Sequence, residues 1–243
     1  MKRLLQEHIL PLFIIVFLAT GLTHKVTAGD CVSAGNCVLA DIDKASFAGD
    51  SAKVEAIYKA SEGRMKQVAG YRLLSLVMFV QQDMEAGKAL LAELVSSLEK
   101  DLEENRRNGE GWALLASYRG MQIMNAPEFA SIYAPKIGLE FALAEDYGKT
   151  TPTVFLIKGI NVYNTPEQYG GSKERALGLF EKAVSLYEAS EEAAHWGHMD
   201  VYAWRGQAYL AMGDKDKARA DFERAIRYAP GNPWLQGLLA SAG

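Results

Sequence analysis

From residue 50 to the C-terminus, apolar residues recur at spacings of three and four over long stretches, and the alternation typical of strands is absent. The pattern predicts helix almost throughout. Ten helices are expected, near 50–62, 65–82, 84–105, 110–124, 133–147, 152–164, 172–189, 198–212, 214–229 and 232–241. Their breaks are marked chemically by Gly109 and Gly111, Pro127, Thr151-Pro152, Pro166 with Gly170-Gly171, Gly213-Asp214, and Pro230-Gly231-Asn232-Pro233. Most connections are short, which makes neighbouring helices antiparallel.

Within this helical pattern the chain copies itself at an offset of 39 residues: Gly120, Asn125, Pro127, Glu128, Phe141 and Ala144 return as Gly159, Asn164, Pro166, Glu167, Phe180 and Ala183. A third copy keeps Gly206, Phe222 and Ala225, with 16 residues from Gly to Phe where the first two have 21. Self-similarity at a period of roughly 20–50 residues marks a solenoid, whose units bury their apolar faces by stacking on one another.

The last copy runs Tyr202-Ala203-Trp204-Arg205-Gly206-Gln207-Ala208-Tyr209, then Gly213-Asp214, Ala218, Phe222, Ala225 and Pro230, and it resembles a tetratricopeptide repeat (TPR). Gly206 and Ala218 let two helices approach closely, Tyr209 and Phe222 fill the space between them, Ala225 faces the next unit and Pro230 ends the second helix. The unit at 151–189 keeps Gly159, Ala176, Phe180 and Ala183 around a five-residue insertion, and 112–147 keeps Gly120, Phe141 and Ala144 with Ile137 where a small residue is expected. The resemblance implies an all-α, right-handed superhelix of antiparallel helix pairs: a diverged N-terminal cap over 49–108, three repeats over 110–230 and a cap helix over 231–243. Leu156-Ile157-Lys158-Gly159-Ile160-Asn161, Thr165-Pro166-Glu167, Tyr169-Gly170-Gly171 and Trp196-Gly197 together resemble a largely uncharacterised group of exported bacterial TPR proteins. A more distant similarity is to the TPR subunit of periplasmic TRAP-type solute transporters.

In a TPR-like stack the first helix of each pair lines a concave groove. The alignment puts Ser117, Met121, Met124 and Asn125 there from the first unit, Thr153, Leu156, Ile160, Tyr163 and Asn164 from the second, and Asp200, Ala203, Gln207 and Leu210 from the third. Such a floor suits a peptide segment or an apolar small molecule, unless the chain's own C-terminal helix or a neighbouring subunit fills it. A base precedes each repeated glycine (Arg119, Lys158, Arg205), and Glu140, Glu181 and Glu223 beside the Phe positions are the expected ion-pair partners. Within the insertions at 125–135 and 164–171, the duplicated loops Asn125-Ala126-Pro127-Glu128 and Asn164-Thr165-Pro166-Glu167 read as helix termination followed by an acid that favours the next helix dipole, or as a lip of the binding surface.

Ahead of the repeats, Lys2 and Arg3 precede an apolar run from Ile9 to Leu22 that leads to Val26-Thr27-Ala28. This is the pattern of a secretory signal peptide over 1–28, cleaved after Ala28, so a periplasmic protein without stable membrane insertion is expected. Residues 29–48 read as a flexible segment. Its Cys31 and Cys37 would close a small loop in an oxidising compartment or remain two free thiols.

The formal net charge of −4 becomes −6 once residues 1–28, carrying three bases and one acid, are removed. A mildly acidic chain without a basic cluster is a poor nucleic-acid ligand. His195-Trp196-Gly197-His198, with Glu191, Glu192 and Asp200 nearby, has metal-ligand spacing, yet a loop there offers no preorganised shell of three or four ligands. No cofactor or catalytic residue is expected. The function expected is therefore an exported scaffold for a protein or peptide partner in the envelope, itself open to self-association. Its rivals are an accessory subunit of a TRAP-type transporter and a metal-dependent hydrolase built on the His195/His198 loop.

Overall fold

The computed structural model describes residues 38–191 and 195–243, so the signal segment and the Cys31/Cys37 pair lie outside the described residues. The described residues form eleven α-helices and no strand: α1 (Leu39–Phe47), α2 (Ser51–Ala60), α3 (Gly63–Ser75), α4 (Met84–Glu104), α5 (Gly109–Asn125), α6 (Ala130–Tyr147), α7 (Pro152–Asn164), α8 (Lys173–Glu188), α9 (His198–Ala211), α10 (Lys215–Tyr228) and α11 (Pro233–Ser241). Helix α3 continues into a π turn, Leu76–Val80.

Local chemistry sets most of the starts. Asp50, Asp83, Asn108, Ser172, Asp214 and Asn232 each accept a hydrogen bond from the backbone N–H three residues on, which satisfies one of a helix's orphan donors. Pro152 and Pro233 open α7 and α11, where a missing N–H costs nothing.

The tightest pairs are α5/α6, α7/α8 and α9/α10, the three repeats, and α8 packs well on α9 while α6 touches α7 sparingly. The repeated glycines explain the first fact. A Cβ on Gly159 or Gly206 would stand 2.5 Å from the ring of Phe180 or Phe222, so each pair closes only because that atom is absent. Gly120 differs, since its Cβ would meet the side-chain Nδ2 of Asn161 at 2.9 Å and not Phe141. One apolar core runs from Leu39 to Leu235, and a smaller cluster of Ala218, Phe222 and Ala242 seats α11 on the last repeat with Leu238 and Leu239.

The stretch 29–48, read as flexible, contains helix α1. Its Leu39, Ile42 and Ala45 are buried, and the Asp41 side chain accepts from Val38 N at 2.9 Å. Tertiary burial gives this short helix its stability, because a nine-residue helix in isolation is marginal.

Candidate functional site

The inner helices α5, α7 and α9 carry the groove positions, and these divide into two halves. Near the N-terminal ends, Ser117, Thr153, Leu156 and Ala203 are buried, and Asp200 is largely covered. Near the C-terminal ends, Met121, Met124, Asn125, Ile160 and Leu210 are partly exposed and Asn164 is exposed, while Tyr163 and Gln207 are buried.

The covering of the first half comes from α1, α3 and the loop before α9. Arg72, in the last turn of α3 and 5% exposed, lies between two carboxylates. Its Nε and Nη2 donate to Asp43 Oδ1 on α1 at 2.9 and 2.7 Å, and its Nη1 and Nη2 donate to Asp200 on α9 at 2.9 and 2.6 Å. The guanidinium sits 5.0 Å from the Trp196 ring and 5.1 Å from that of Phe47. Burial opposes its charge, and the two carboxylates override burial, so Arg72 is held protonated far above its ordinary value. Burial raises the Asp43 carboxyl against the pull of Arg72, with the neighbouring Asp200 adding to the rise. Gly197, at φ +90°, turns the loop so that its N–H donates to Asp43 Oδ2 at 3.0 Å.

A second buried carboxylate stands beside the first group. Glu110, in the first turn of α5, accepts from Arg64 Nε at 2.5 Å, from Thr153 Oγ1 at 2.6 Å and from Trp196 Nε1 at 2.9 Å. Burial alone would raise its pKa; the Arg64 hydrogen bond and charge, followed by Thr153 and Trp196, outweigh it and leave the carboxyl below its usual range. At the far end, Asn232 Nδ2 donates to the Phe47 carbonyl at 3.2 Å, tying α1 to the entry of α11. A peptide segment or an apolar small molecule is the occupant expected from the sequence, unless α11 or a neighbouring subunit fills the groove. The structure lays the N-terminal helices over one half of it.

In the open half, polar side chains stand without partners. Gln122 Oε1, Asn125 Nδ2 and Gln207 Nε2 are buried atoms with no hydrogen bond within the protein. Around them the Tyr163 and Trp204 rings meet edge-on at 5.5 Å, and Trp204 lies 6.3 Å from Trp234 of α11. Lys173 Nζ donates to the Tyr163 carbonyl and rests 3.5 Å from its ring centroid.

The base ladder forms ion pairs, though not with the expected set of acids. Arg119 pairs with Glu140 at 2.5 Å and with Glu99 at 2.6 Å. Arg205 takes Asp221 in a two-pronged contact at 2.7 Å and 2.7 Å, where Glu223 was expected. The acid sits immediately before the repeated Phe in the first and third units, as Glu140 and Asp221. In the second unit that position is Leu179, so Lys158 turns back to Glu145 of α6 at 2.6 Å, and Glu181 accepts instead from Tyr209 Oη at 3.1 Å.

His195, in the loop before α9, and His198, the first residue of α9, face aromatic rings. His195 lies 6.1 Å from the Tyr187 ring and His198 lies 4.5 Å from it, with the Tyr228 ring 5.6 Å from His198. Burial, with Arg64 next, lowers the His195 pKa. Among the described residues no group of three or more His, Cys, Asp or Glu side chains could hold a metal. Nor is any described helix long and apolar enough to cross a membrane.

Paired antiparallel helices with glycine-to-phenylalanine contacts, stacked with a continuous inner face, define an α-solenoid. Residues 199–232 match the tetratricopeptide repeat family model. The fold is similar to the crystal structure of a thermophilic TPR protein from Thermus thermophilus, at a TM-score of 0.55 and 17% identity over 84% of this chain and 98% of that one. No curated protein matches the chain. Residues 199–232 are thus a tetratricopeptide repeat by sequence, and the described residues share the fold of a TPR protein. The residues that sequence reasoning missed are Asp43, Arg64, Arg72 and Glu110, which close half of the groove.

Proposed function

We propose that this protein is an exported, non-catalytic scaffold that binds an extended peptide segment of a partner in the open half of its concave groove. The observation that carries the reading is the trio of unpartnered amide atoms on Gln122, Asn125 and Gln207. A buried polar atom without a hydrogen bond costs about 1–3 kcal/mol, and the alternating C=O and N–H groups of a peptide backbone would satisfy an amide acceptor and two amide donors. The accessible positions around them, Met121, Met124, Ile160, Asn164 and Leu210, carry no charge, so the segment is chosen for apolar side chains and main-chain polarity. Export is supported by the basic, apolar and small-residue pattern ending at Ala28.

The test is affinity capture from the source's envelope fraction, read by mass spectrometry and followed by rebinding of the captured protein in purified form. The wild type is run beside Asn125→Ala/Ile160→Ala/Asn164→Ala. Retention by the wild type and loss by the variant is the expected result. Equal retention by both would sink the groove reading. Leu156 and Tyr163 are unsuitable probes, because both are buried and their loss would disturb the fold.

A further inference from the structure

Each of the three turns within the helix pairs presents one large apolar side chain to solvent. Phe129 stands between α5 and α6 at 45% exposure, Tyr169 between α7 and α8 at 65%, and Met212 between α9 and α10 at 51%. In a solenoid, equivalent turns of successive repeats lie along one edge, so these three side chains form a row. Ile132, one helical turn after Phe129 and 53% exposed, widens the row at its first rung.

Charge along this edge is sorted by direction. Four bases here are engaged with the protein itself: Lys173 with the Tyr163 carbonyl and ring, Arg175 with the Gly170 carbonyl at 3.0 Å, Lys215 with the Gly243 carbonyl at 2.9 Å, and Lys217 with Asp214 at 2.8 Å. The acids Glu128, Glu167, Glu174 and Asp216 are exposed and belong to no ion pair among the described residues. Glu128 and Glu167 sit in the 3-10 turns that end in Phe129 and Tyr169, so an outward carboxylate stands one and two residues from an outward ring. Ending one helix and starting the next takes a breaker, here Pro127, Pro166 or Gly213, and a start signal; it does not need a large exposed apolar residue in each turn.

We infer that this edge is a docking surface, separate from the concave groove, for a basic amphipathic helix of a partner protein: its apolar stripe meets Phe129, Ile132, Tyr169 and Met212, and its Lys or Arg side chains meet Glu128, Glu167, Glu174 and Asp216. Apolar contact supplies the affinity and the carboxylates fix orientation and steer encounter.

The test is fluorescence anisotropy of a labelled peptide of about 18 residues made of Leu and Lys, with its Leu on one helical face, titrated with the full chain. A Leu/Glu counterpart is the control. The expected result is binding of the Leu/Lys peptide at least about tenfold tighter than the control, weakened about tenfold in Phe129→Ser/Tyr169→Ser/Met212→Ser. In Glu128→Gln/Glu167→Gln the binding loses about threefold and much of its salt dependence. Asn125→Ala/Ile160→Ala/Asn164→Ala, the groove variant, leaves the affinity within about twofold, which keeps failure of the edge distinct from failure of the groove. Affinity unchanged by the edge substitutions, equal binding of both peptides, or loss in the groove variant would each overturn the inference. A dimer in light scattering that dissolves in the triple serine variant, with no peptide bound, would assign the edge to a second copy and overturn it equally. Should the serine variant fail to fold, photo-crosslinking of the peptide to the wild type decides: crosslinks at 127–132, 165–171 and 211–216 support the edge, and crosslinks confined elsewhere refute it.

Discussion

The two halves of the inner face lie on the same three helices, yet the half at their N-terminal ends is sealed and the half at their C-terminal ends is open. Thr153 and Asn164 sit at opposite ends of α7, the first buried against Glu110 and the second exposed. What differs is the chain laid over them. Arg72 with Asp200 and Arg64 with Glu110 fasten the N-terminal helices onto one half, and Arg72 with Asp43 ties those helices to each other. A repeat therefore provides equivalent positions, and elements outside the repeat decide which of them a partner can reach.

The comparison is broken most severely at Arg72. Arg72→Leu leaves Asp43 and Asp200 buried without a counter-charge, and a loss of about 3–5 kcal/mol is expected in chemical denaturation. Adding Asp43→Asn and Asp200→Asn to that variant should restore much of the loss. A cost below about 1 kcal/mol for the single change would mean that apolar contacts alone hold the covering helices.

Next in size is a contrast between repeats. Gly159→Ala drives a Cβ into Phe180 and should cost about 1–3 kcal/mol, measured by the shift in thermal midpoint. Gly120→Ala meets only the movable Asn161 side chain and should fall within about 1 kcal/mol of wild type, since alanine also favours helix.

The sealed half also predicts an acid limit. Because the Glu110 pKa is lowered in the folded protein, its contribution is complete above the ordinary value of 4.5 and is lost as pH falls through the lower folded value. Asp43 runs the other way: its raised pKa gives stability that is full below the ordinary value of 3.8 and lost as pH rises through the folded one. Glu110→Gln should cost about 1–3 kcal/mol near neutrality and flatten the acid limb of the stability profile. An unchanged acid limb would place the sensitivity elsewhere. At the open half, Asn164→Ala should alter stability by less than about 0.5 kcal/mol, because its exposed side chain donates only to the Ile160 carbonyl of its own helix.

Sequence patterning made the repeats legible because Gly206, Ala218 and Phe222 encode a contact inside one local unit. The same applies to Gly159 with Phe180 and, for charge, to Arg119 with Glu140, all within a single helix pair. The sealed half was illegible for the opposite reason. Arg72 and Asp200 lie 128 residues apart, and no local spacing connects them. One signal was present: Arg72 is a lone charge within the apolar run Val68 to Val80, and a buried charge implies a distant partner. Helix α1 gave a weaker sign, with Leu39, Ile42 and Ala45 spaced three apart beside Asp41, in a stretch short enough to read as a linker.

The clasp between Arg72 and Asp200 sets a clock on biogenesis. At about 5–20 residues per second, a chain made from its N-terminus waits roughly 6–26 s between the appearance of Arg72 and that of its acceptor 128 residues later. During that interval the side of α3 that carries Arg72 has neither Asp200 nor the Trp196 ring against it. A holding factor that recognises nascent chains has its natural substrate in that window, and a truncation that stops before α9 never leaves it.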